Sequence, residues 1–349
     1  MNAKVVTEQS VRNFIDRLIL QYQVYGPTEK RNHYVFDEVS SGSQVDLSYQ
    51  TTILPPKKFL IPQCEVLLTL RRDGTAVTQA PEFHRKQLIF GIHSCDLNGI
   101  SLLDRVFLND FPSENYRKRR NNLVLVALSC SEVADTCFCS SLGTGPSVRD
   151  GFDLLLTPVR KGYLIESGSK EGDKLLAQIE GSSASAEDLA CKEERIEEAK
   201  KKFTRFIDTE NLSELFEKNL NHPIWRRLGD IDLACAQCIN SCPTCYCFDV
   251  RDKLSIDMRE CSRYTEWDAC FLLEFSEVAL GGNFRRDRAD RVRQFMGHNL
   301  GWGGAAQHRG SPIRFKCVGC GRCIRTCPVR IDITEVVAEL RGDKHAKPV

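Results

Sequence analysis

The sequence predicts an α/β N-terminal domain followed by a mostly α-helical two-cluster ferredoxin domain. Short apolar, β-branched runs recur between turn signals through roughly the first 180 residues, which is the pattern of buried strands. Eleven of the 17 cysteines fall between Cys235 and Cys327, where the apolar residues follow helical spacing instead. A chain of 349 residues is long enough for about two domains of ordinary size.

The composition excludes several classes of partner. Lys and Arg number 48 against 47 Asp and Glu, a formal net charge of +1, so no nucleic-acid partner is expected. No apolar run approaches the ~18 residues that a membrane span needs, and the first ten residues lack the apolar centre of a signal peptide. We therefore expect a cytoplasmic protein whose thiols stay reduced and available as metal ligands.

Five apolar runs predict the strands of the N-terminal domain, which we expect to span residues 1–185. The run Leu123 to Leu128 contains no polar residue, which is typical of a strand covered on both faces. Between Leu97 and Leu108 the apolar residues follow helical spacing, so we expect a strand, turn and helix unit here. The five predicted strands are Val66 to Leu70, Leu88 to Ile92, Leu123 to Leu128, Leu154 to Thr157 and Tyr163 to Ile165.

A stretch of small residues, Gly181 to Ala186, marks the predicted domain boundary. The charged stretch after it keeps helical apolar spacing, so residues 186–230 are predicted to form a charged helical connector exposed to solvent. Residues 231–349 form the predicted helical dicluster domain. Within this domain Trp267 to Ala279 has helical spacing, and Asp332 followed by Glu335 resembles a capping box that begins a last helix.

The most specific motif is Cys317-Val-Gly-Cys320-Gly-Arg-Cys323-Ile-Arg-Thr-Cys327-Pro328, the C-x2-C-x2-C-x3-C-P run of bacterial ferredoxins. Cysteines two residues apart wrap a turn around one 4Fe-4S cluster, and the cysteine before proline reaches the other cluster of the pair. Zinc is the alternative metal, but zinc sites usually take two C-x2-C pairs. The motif therefore predicts a pair of iron-sulfur clusters.

A second run matches the same template with an aspartate at its first position, Asp232-Leu-Ala-Cys235-Ala-Gln-Cys238-Ile-Asn-Ser-Cys242-Pro243. By the crossed-ligand rule one cluster then has four cysteines and the other has three. Asp232 is the preferred fourth ligand of the second cluster, Cys245 or Cys247 is the alternative, and an open iron site is the third option. The expected ligands are Cys317, Cys320, Cys323 and Cys242 for cluster 1, and Cys235, Cys238, Cys327 and Asp232 for cluster 2.

Four further cysteines lie where two predicted strands end. Cys95 and Cys130 each follow an apolar run, by three and two residues, and Cys137 and Cys139 lie in the loop after the second run. If the two strands are parallel members of one sheet, the thiols meet at its carboxyl edge, where open α/β sheets place their sites. We expect a third 4Fe-4S cluster here, with zinc or simply reduced, packed thiols as the alternatives.

Several motifs together are specific for a known family. They cover most of the chain: Leu54-Pro-Pro-Lys-Lys-Phe-Leu-Ile-Pro62, Gly91-Ile-His-Ser-Cys-Asp96, Cys137-Phe-Cys139, Gly143-Thr-Gly-Pro146, Cys242-Pro-Thr-Cys-Tyr-Cys-Phe-Asp249 and the last ferredoxin run. The chain thereby resembles the beta subunit of cytoplasmic sulfhydrogenase-type nickel-iron hydrogenases, and is similar to the electron-transfer subunit of anaerobic sulfite reductase. Its departure from the family pattern is Asp232, where the family has cysteine.

The resemblance implies an iron-sulfur subunit that carries single electrons between two partners, one a flavin-containing, NAD(P)H-reacting subunit, the other a catalytic hydrogenase or other reductase subunit. The sequence agrees in what it lacks, since it has no G-x-G-x-x-G after a strand, no P-loop and no G-x-S-x-G elbow. No catalytic residue is therefore predicted. The alternatives are a subunit with its own reductive chemistry at an open iron of the Asp232 cluster, and a zinc-stabilised interaction module.

Arginines are concentrated between Gly282 and the last ferredoxin run. They form either a solvated helix face, a docking patch, or a set of charges near the clusters that raises the cluster potentials. The arginines are Arg285, Arg286, Arg288, Arg291 and Arg293.

Overall fold

The structure, a computed structural model, describes residues 2–305 and 313–343. Two stretches of the predicted dicluster domain, 306–312 and 344–349, therefore lie outside the described residues. The described chain is built on one sheet of eight strands and another of four. Within it, no helix is both long enough and apolar enough to cross a membrane.

The strands are β1 (Ala3–Val6), β2 (Gln23–Lys30), β3 (His33–Glu38), β4 (Cys64–Arg71), β5 (Ala76–Thr78), β6 (Gln87–Ile92), β7 (Leu123–Leu128), β8 (Leu154–Val159), β9 (Gly162–Ser167), β10 (Ser182–Ser183), β11 (Phe248–Leu254), β12 (Glu260–Trp267), β13 (Glu277–Val278) and β14 (Gly282–Asn283). The large sheet has the order β10-β1-β9-β8-β7-β6-β2-β3, and the small sheet has the order β11-β12-β4-β5. The neighbours β2, β6, β7 and β8 run parallel, and the other pairs are antiparallel.

The five predicted strands are present as β4, β6, β7, β8 and β9. All residues of β7 are buried, because the sheet is covered on both faces at its centre. The strands β1, β2 and β3 were not predicted. In β2 the residues Gly26 and Pro27 are turn signals, yet they pair with β3 near the edge of the sheet, where proline is tolerated.

The helices are α1 (Glu8–Gln21), α2 (Ser94–Asp104), α3 (Glu114–Asn121), α4 (Lys170–Ala177), α5 (Ala186–Lys201), α6 (Leu212–Lys218), α7 (Ile224–Ile231), α8 (Gln237–Asn240), α9 (Arg288–Leu300), α10 (Trp302–Ala305), α11 (Arg322–Arg325) and α12 (Ile333–Leu340). A π-helical segment, Arg105–Asp110, continues α2. Because α2 begins directly after β6, the predicted strand, turn and helix unit is confirmed.

The stretch predicted as a solvated connector holds α5, α6 and α7. α5 packs against β8 and β9 and buries Cys191 and Ala199, so it is part of the cover of the large sheet and not simply a solvated helix. Both buried residues are small, and small residues let the helix approach the sheet without a conspicuous apolar stripe. Ser182 and Ser183 of the small-residue stretch also pair with β1. The domain bounds at 185 and 230 stay a prediction.

The prediction of a helix over Trp267 to Ala279 is wrong. Trp267 is the last residue of β12, and short turns follow it. β11 and β12 form a hairpin, and β12 pairs with β4, which lies about 190 residues earlier in the chain. No local spacing encodes such a pairing, and for this reason the mostly helical character predicted for the dicluster domain is not confirmed.

Candidate iron-sulfur sites

One pocket, the cluster 1 pocket, is lined by four of the predicted thiols, Cys242, Cys317, Cys320 and Cys323. The turn that carries three of them depends on Gly321, whose φ of +69° lies in the left-handed region, and α11 begins directly after it. The backbone N–H of Gly319 donates to Sγ of Cys317 at 3.3 Å, a bond that favours the thiolate form. The other walls are mostly apolar and include Phe138, Phe295, Val318 and Ile333.

A second pocket, the Asp232 pocket, is lined by one carboxylate and three predicted thiols, Asp232, Cys235, Cys238 and Cys327. Cys323 lines this pocket as well as the first, so the two pockets adjoin. Sγ of Cys327 accepts a hydrogen bond from the backbone N–H of Ile331 at 3.3 Å. Burial raises the pKa of Asp232, although Oδ2 of its side chain accepts a hydrogen bond from the N–H of Ala234 at 3.1 Å. The pocket is therefore one thiol short of four.

Two of the arginines beyond Gly282 lie beside the Asp232 pocket. Arg288 donates to the backbone carbonyl of Asp232 at 2.5 Å. Arg291 is buried and donates to the backbone carbonyls of Arg285 and Arg286 at 3.1 and 2.8 Å. The positive charges of Arg288 and Arg291 lower the pKa of Asp232, but burial, which raises it, outweighs them. At least these two guanidinium groups are thus near a pocket and not on a solvated face.

The alternative ligands Cys245 and Cys247 line neither pocket. The thiol of Cys245 hydrogen-bonds to Cys242 and thereby lowers the pKa of Cys242. The thiol of Cys247 pairs with that of Cys270, which lowers the pKa of Cys247 in the same way. In the described residues, the structure therefore brings Asp232, and neither alternative cysteine, to the three thiols of the second pocket.

The four N-terminal cysteines also lie close together. Cys95 is in the first turn of α2 after β6, Cys130 follows β7, and these two strands are parallel neighbours, as the sequence-based prediction required. Burial and then the neighbouring thiols of Cys137 and Cys130 raise the pKa of Cys139. The pKa of Cys95 is raised by burial first, and Cys139 contributes to the same effect. We refer to Cys95, Cys130, Cys137 and Cys139 as the N-terminal thiol group.

The surroundings of this group fit an additional bound body. The hydroxyl groups of Ser94 and Thr136 are buried and have no hydrogen-bond partner within the described residues. Gly145 leaves space beside the thiols, since a Cβ there would lie 2.5 Å from Sγ of Cys139 and 2.9 Å from Oγ of Ser94. Across the described chain, no three His, Cys, Asp or Glu side chains are arranged to hold a single metal ion. The thiols surround space instead of converging on one point.

The N-terminal thiol group directly contacts the last ferredoxin run. The thiol of Cys137 donates to the carbonyl of Cys320 at 3.6 Å, and the N–H of Phe138 donates to the carbonyl of Gly319 at 2.9 Å. A Cβ at Gly319 would lie 2.6 Å from the backbone nitrogen of Cys139, so only glycine permits this approach. The N-terminal group and the cluster 1 pocket are therefore neighbours.

Sequence reasoning missed the ion pair that lies between these two sites. Arg322 donates to both carboxylate oxygens of Asp96, at 2.6 and 2.7 Å, and to the backbone carbonyl of Thr52 at 2.8 Å. The side chains of Arg322 and Asp96 are 2% and 0% exposed. The signal that could have found them was their position, since Arg322 lies between Cys320 and Cys323 and Asp96 follows Cys95 directly. The pair fixes the position of the ferredoxin run against the large sheet.

Comparison with known proteins identifies the C-terminal part and the whole chain. The 4Fe-4S dicluster domain family matches residues 232–331, a range that begins at Asp232 and includes all seven cysteines expected to bind clusters 1 and 2. Sulfhydrogenase 2 subunit beta of Pyrococcus furiosus is 34% identical over 331 residues, which cover 94% of this chain and 95% of that protein. No solved structure matches the chain. With two thiol pockets inside the dicluster domain and a relative that aligns along nearly its full length, the chain belongs to the sulfhydrogenase beta subunit family.

Proposed function

We propose that this protein carries single electrons between two partners in one cytoplasmic complex, a flavin-containing, NAD(P)H-reacting subunit on one side, a catalytic hydrogenase or other reductase subunit on the other. The observation that carries the proposal is the continuous arrangement of three ligand groups, each in contact with the next. Family membership supports the coarser function, an iron-sulfur electron-transfer subunit of an oxidoreductase complex. A cytoplasmic location agrees with the need to keep 17 thiols reduced.

We assign three 4Fe-4S clusters to the three ligand groups. Cys242, Cys317, Cys320 and Cys323 hold cluster 1, Asp232, Cys235, Cys238 and Cys327 hold cluster 2, and Cys95, Cys130, Cys137 and Cys139 hold the third. When bound, each cluster supplies a one-electron acceptor and donor at fixed protein ligands. The apolar side chains around the cluster 1 pocket exclude water, and Cys235 is exposed, which supports electron exchange with a partner at the Asp232 pocket.

Iron is favoured over zinc by the way the thiols are placed. A zinc ion is held at one point by four ligands about 2.0 to 2.3 Å away. No such single-ion arrangement occurs among the described residues, whereas two pockets are each lined by a complete set of expected cluster ligands. This supports an electron carrier and disfavours a zinc-stabilised interaction module.

The first prediction is the iron content of the full chain. Protein purified without oxygen and reconstituted with iron and sulfide should hold about 12 irons and little zinc, and Cys139→Ser should hold about 8. Cys191→Ser is the matched control, since Cys191 is also buried but packs with Val5, Val159 and Leu164 in another core. Metal analysis decides the matter. An unchanged iron content in Cys139→Ser would contradict the third cluster, and a zinc-rich wild type would contradict the proposed function.

The second prediction concerns the carboxylate ligand. Asp232→Cys should keep the iron content and shift the potential and electron paramagnetic resonance signal of cluster 2, because a thiolate donates more charge to iron than a carboxylate does. Asp232→Ala should favour a three-iron cluster. The control is Asp230→Ala, which removes a neighbouring carboxylate whose side chain is 64% exposed. If Asp232→Ala changes neither iron content nor spectrum, Asp232 is not a ligand.

A further inference from the structure

A cavity of about 420 Å³ lies between the small sheet and the segment formed by the π-helix and α3. This volume is within the range of small-molecule sites, and most of the lining is apolar. None of the proposed cluster ligands contributes to it, so the cavity is separate from the sites described above. Its aromatic residues are Phe107, Phe111, Tyr116, Tyr246, Phe248 and Trp267.

The rings of the cavity present both faces and edges. The ring of Phe107 is stacked on Tyr116 at a centroid distance of 5.1 Å and lies edge-on to Tyr246 at 5.5 Å. Phe107 belongs to the π-helical segment Arg105–Asp110, and such segments occur frequently at functional sites. Aromatic side chains in this arrangement suit a flat, conjugated ligand, which can stack on one ring and contact the edge of another.

The cavity also has one polar wall. Arg119 and Glu65 form a two-bonded ion pair at 2.6 and 3.1 Å, with side chains only 10% and 16% exposed. The pair places guanidinium donors next to carboxylate acceptors at the surface of an apolar space. A ligand edge with alternating carbonyl and N–H groups is complementary to such a wall.

The opposite wall is next to the cysteine-rich strand. Tyr246 lines the cavity and lies between Cys245 and Cys247 in the chain. Lys57 Nζ is 4.5 Å from the ring centre of Trp267 and donates to the carbonyl of Cys245 at 2.7 Å. The cavity is therefore one aromatic side chain away from the segment that begins at the cluster 1 cysteine, Cys242.

We propose that this cavity binds a planar, conjugated heteroaromatic ring of the isoalloxazine class. The aromatic side chains contact the faces of the ring, and the Arg119–Glu65 pair contacts its polar edge of carbonyl and N–H groups. The binding uses none of the cysteines assigned to clusters, so it is independent of the proposed function and can be tested separately.

The probe is riboflavin, which carries the ring without a phosphate. Equilibrium dialysis against the full-length, iron-loaded protein should give saturable binding of one riboflavin per chain. Phe111→Ala should weaken binding about tenfold, since a stacking partner is lost. The matched control is Phe284→Ala, because Phe284 is 77% exposed and Phe111 is 76% exposed, but only Phe111 lines the cavity.

Thr265→Trp, which fills the cavity, should abolish binding. Cys139→Ser should lose iron and still bind riboflavin, so failure of the third cluster and failure of this site give different results. If the wild type does not bind riboflavin, or if Phe111→Ala binds it as tightly as the wild type does, the proposal is wrong.

Discussion

Asp96→Ala should lower the free energy of unfolding by about 3–5 kcal/mol, because it leaves the charge of Arg322 buried without a partner. Arg322 and Asp96 are almost completely inaccessible, and the two hydrogen bonds between them are short. Denaturant unfolding of wild type and variant, carried out without oxygen, measures the difference. The control is Glu260→Ala, which breaks the half-exposed pair with Arg71 and should cost at most about 1 kcal/mol.

A double variant separates the buried charge from lost packing. Asp96→Ala combined with Arg322→Met removes both charges and keeps most of the volume of the arginine, so it should be more stable than Asp96→Ala alone. If the double variant is no more stable, the loss comes from packing and not from an unpaired charge. The same pair lies between the N-terminal thiol group and the cluster 1 pocket, so the single variant should also retain less iron.

Cys242→Ser should abolish cluster 1, with a loss of about four irons per chain and of its electron paramagnetic resonance signal. Because bound metal stabilises a metalloprotein fold, this variant should also unfold at lower denaturant concentration. Cys245→Ser provides the control three residues away, since Cys245 is equally enclosed but lines neither pocket. Equal loss of iron in both variants would contradict the crossed arrangement of ligands.

Much of the candidate site could be predicted from local sequence. The run from Cys317 to Cys327 specifies its own turns through cysteine spacing and through glycines at positive φ, so its thiols were recognisable without a fold. The N-terminal thiol group was also predictable, because the continuous apolar runs of β6 and β7 placed Cys95 and Cys130 at one sheet edge. In both cases the signal is carried by residues within a few positions of each other.

Other features were decided by contacts between distant residues. Arg322 pairs with Asp96 across 226 residues, and β12 joins β4 although its flanking apolar residues have helical spacing. The placement of Asp232, and of neither Cys245 nor Cys247, beside Cys327 likewise required the two ferredoxin runs to be brought together. Sequence alone thus determined the ligand types, the two ferredoxin runs and the central strands, because spacing and periodicity act over a few residues. Only the tertiary structure decided which groups meet, since hydrogen bonds and burial between segments depend on their positions in space and leave no local periodicity in the chain.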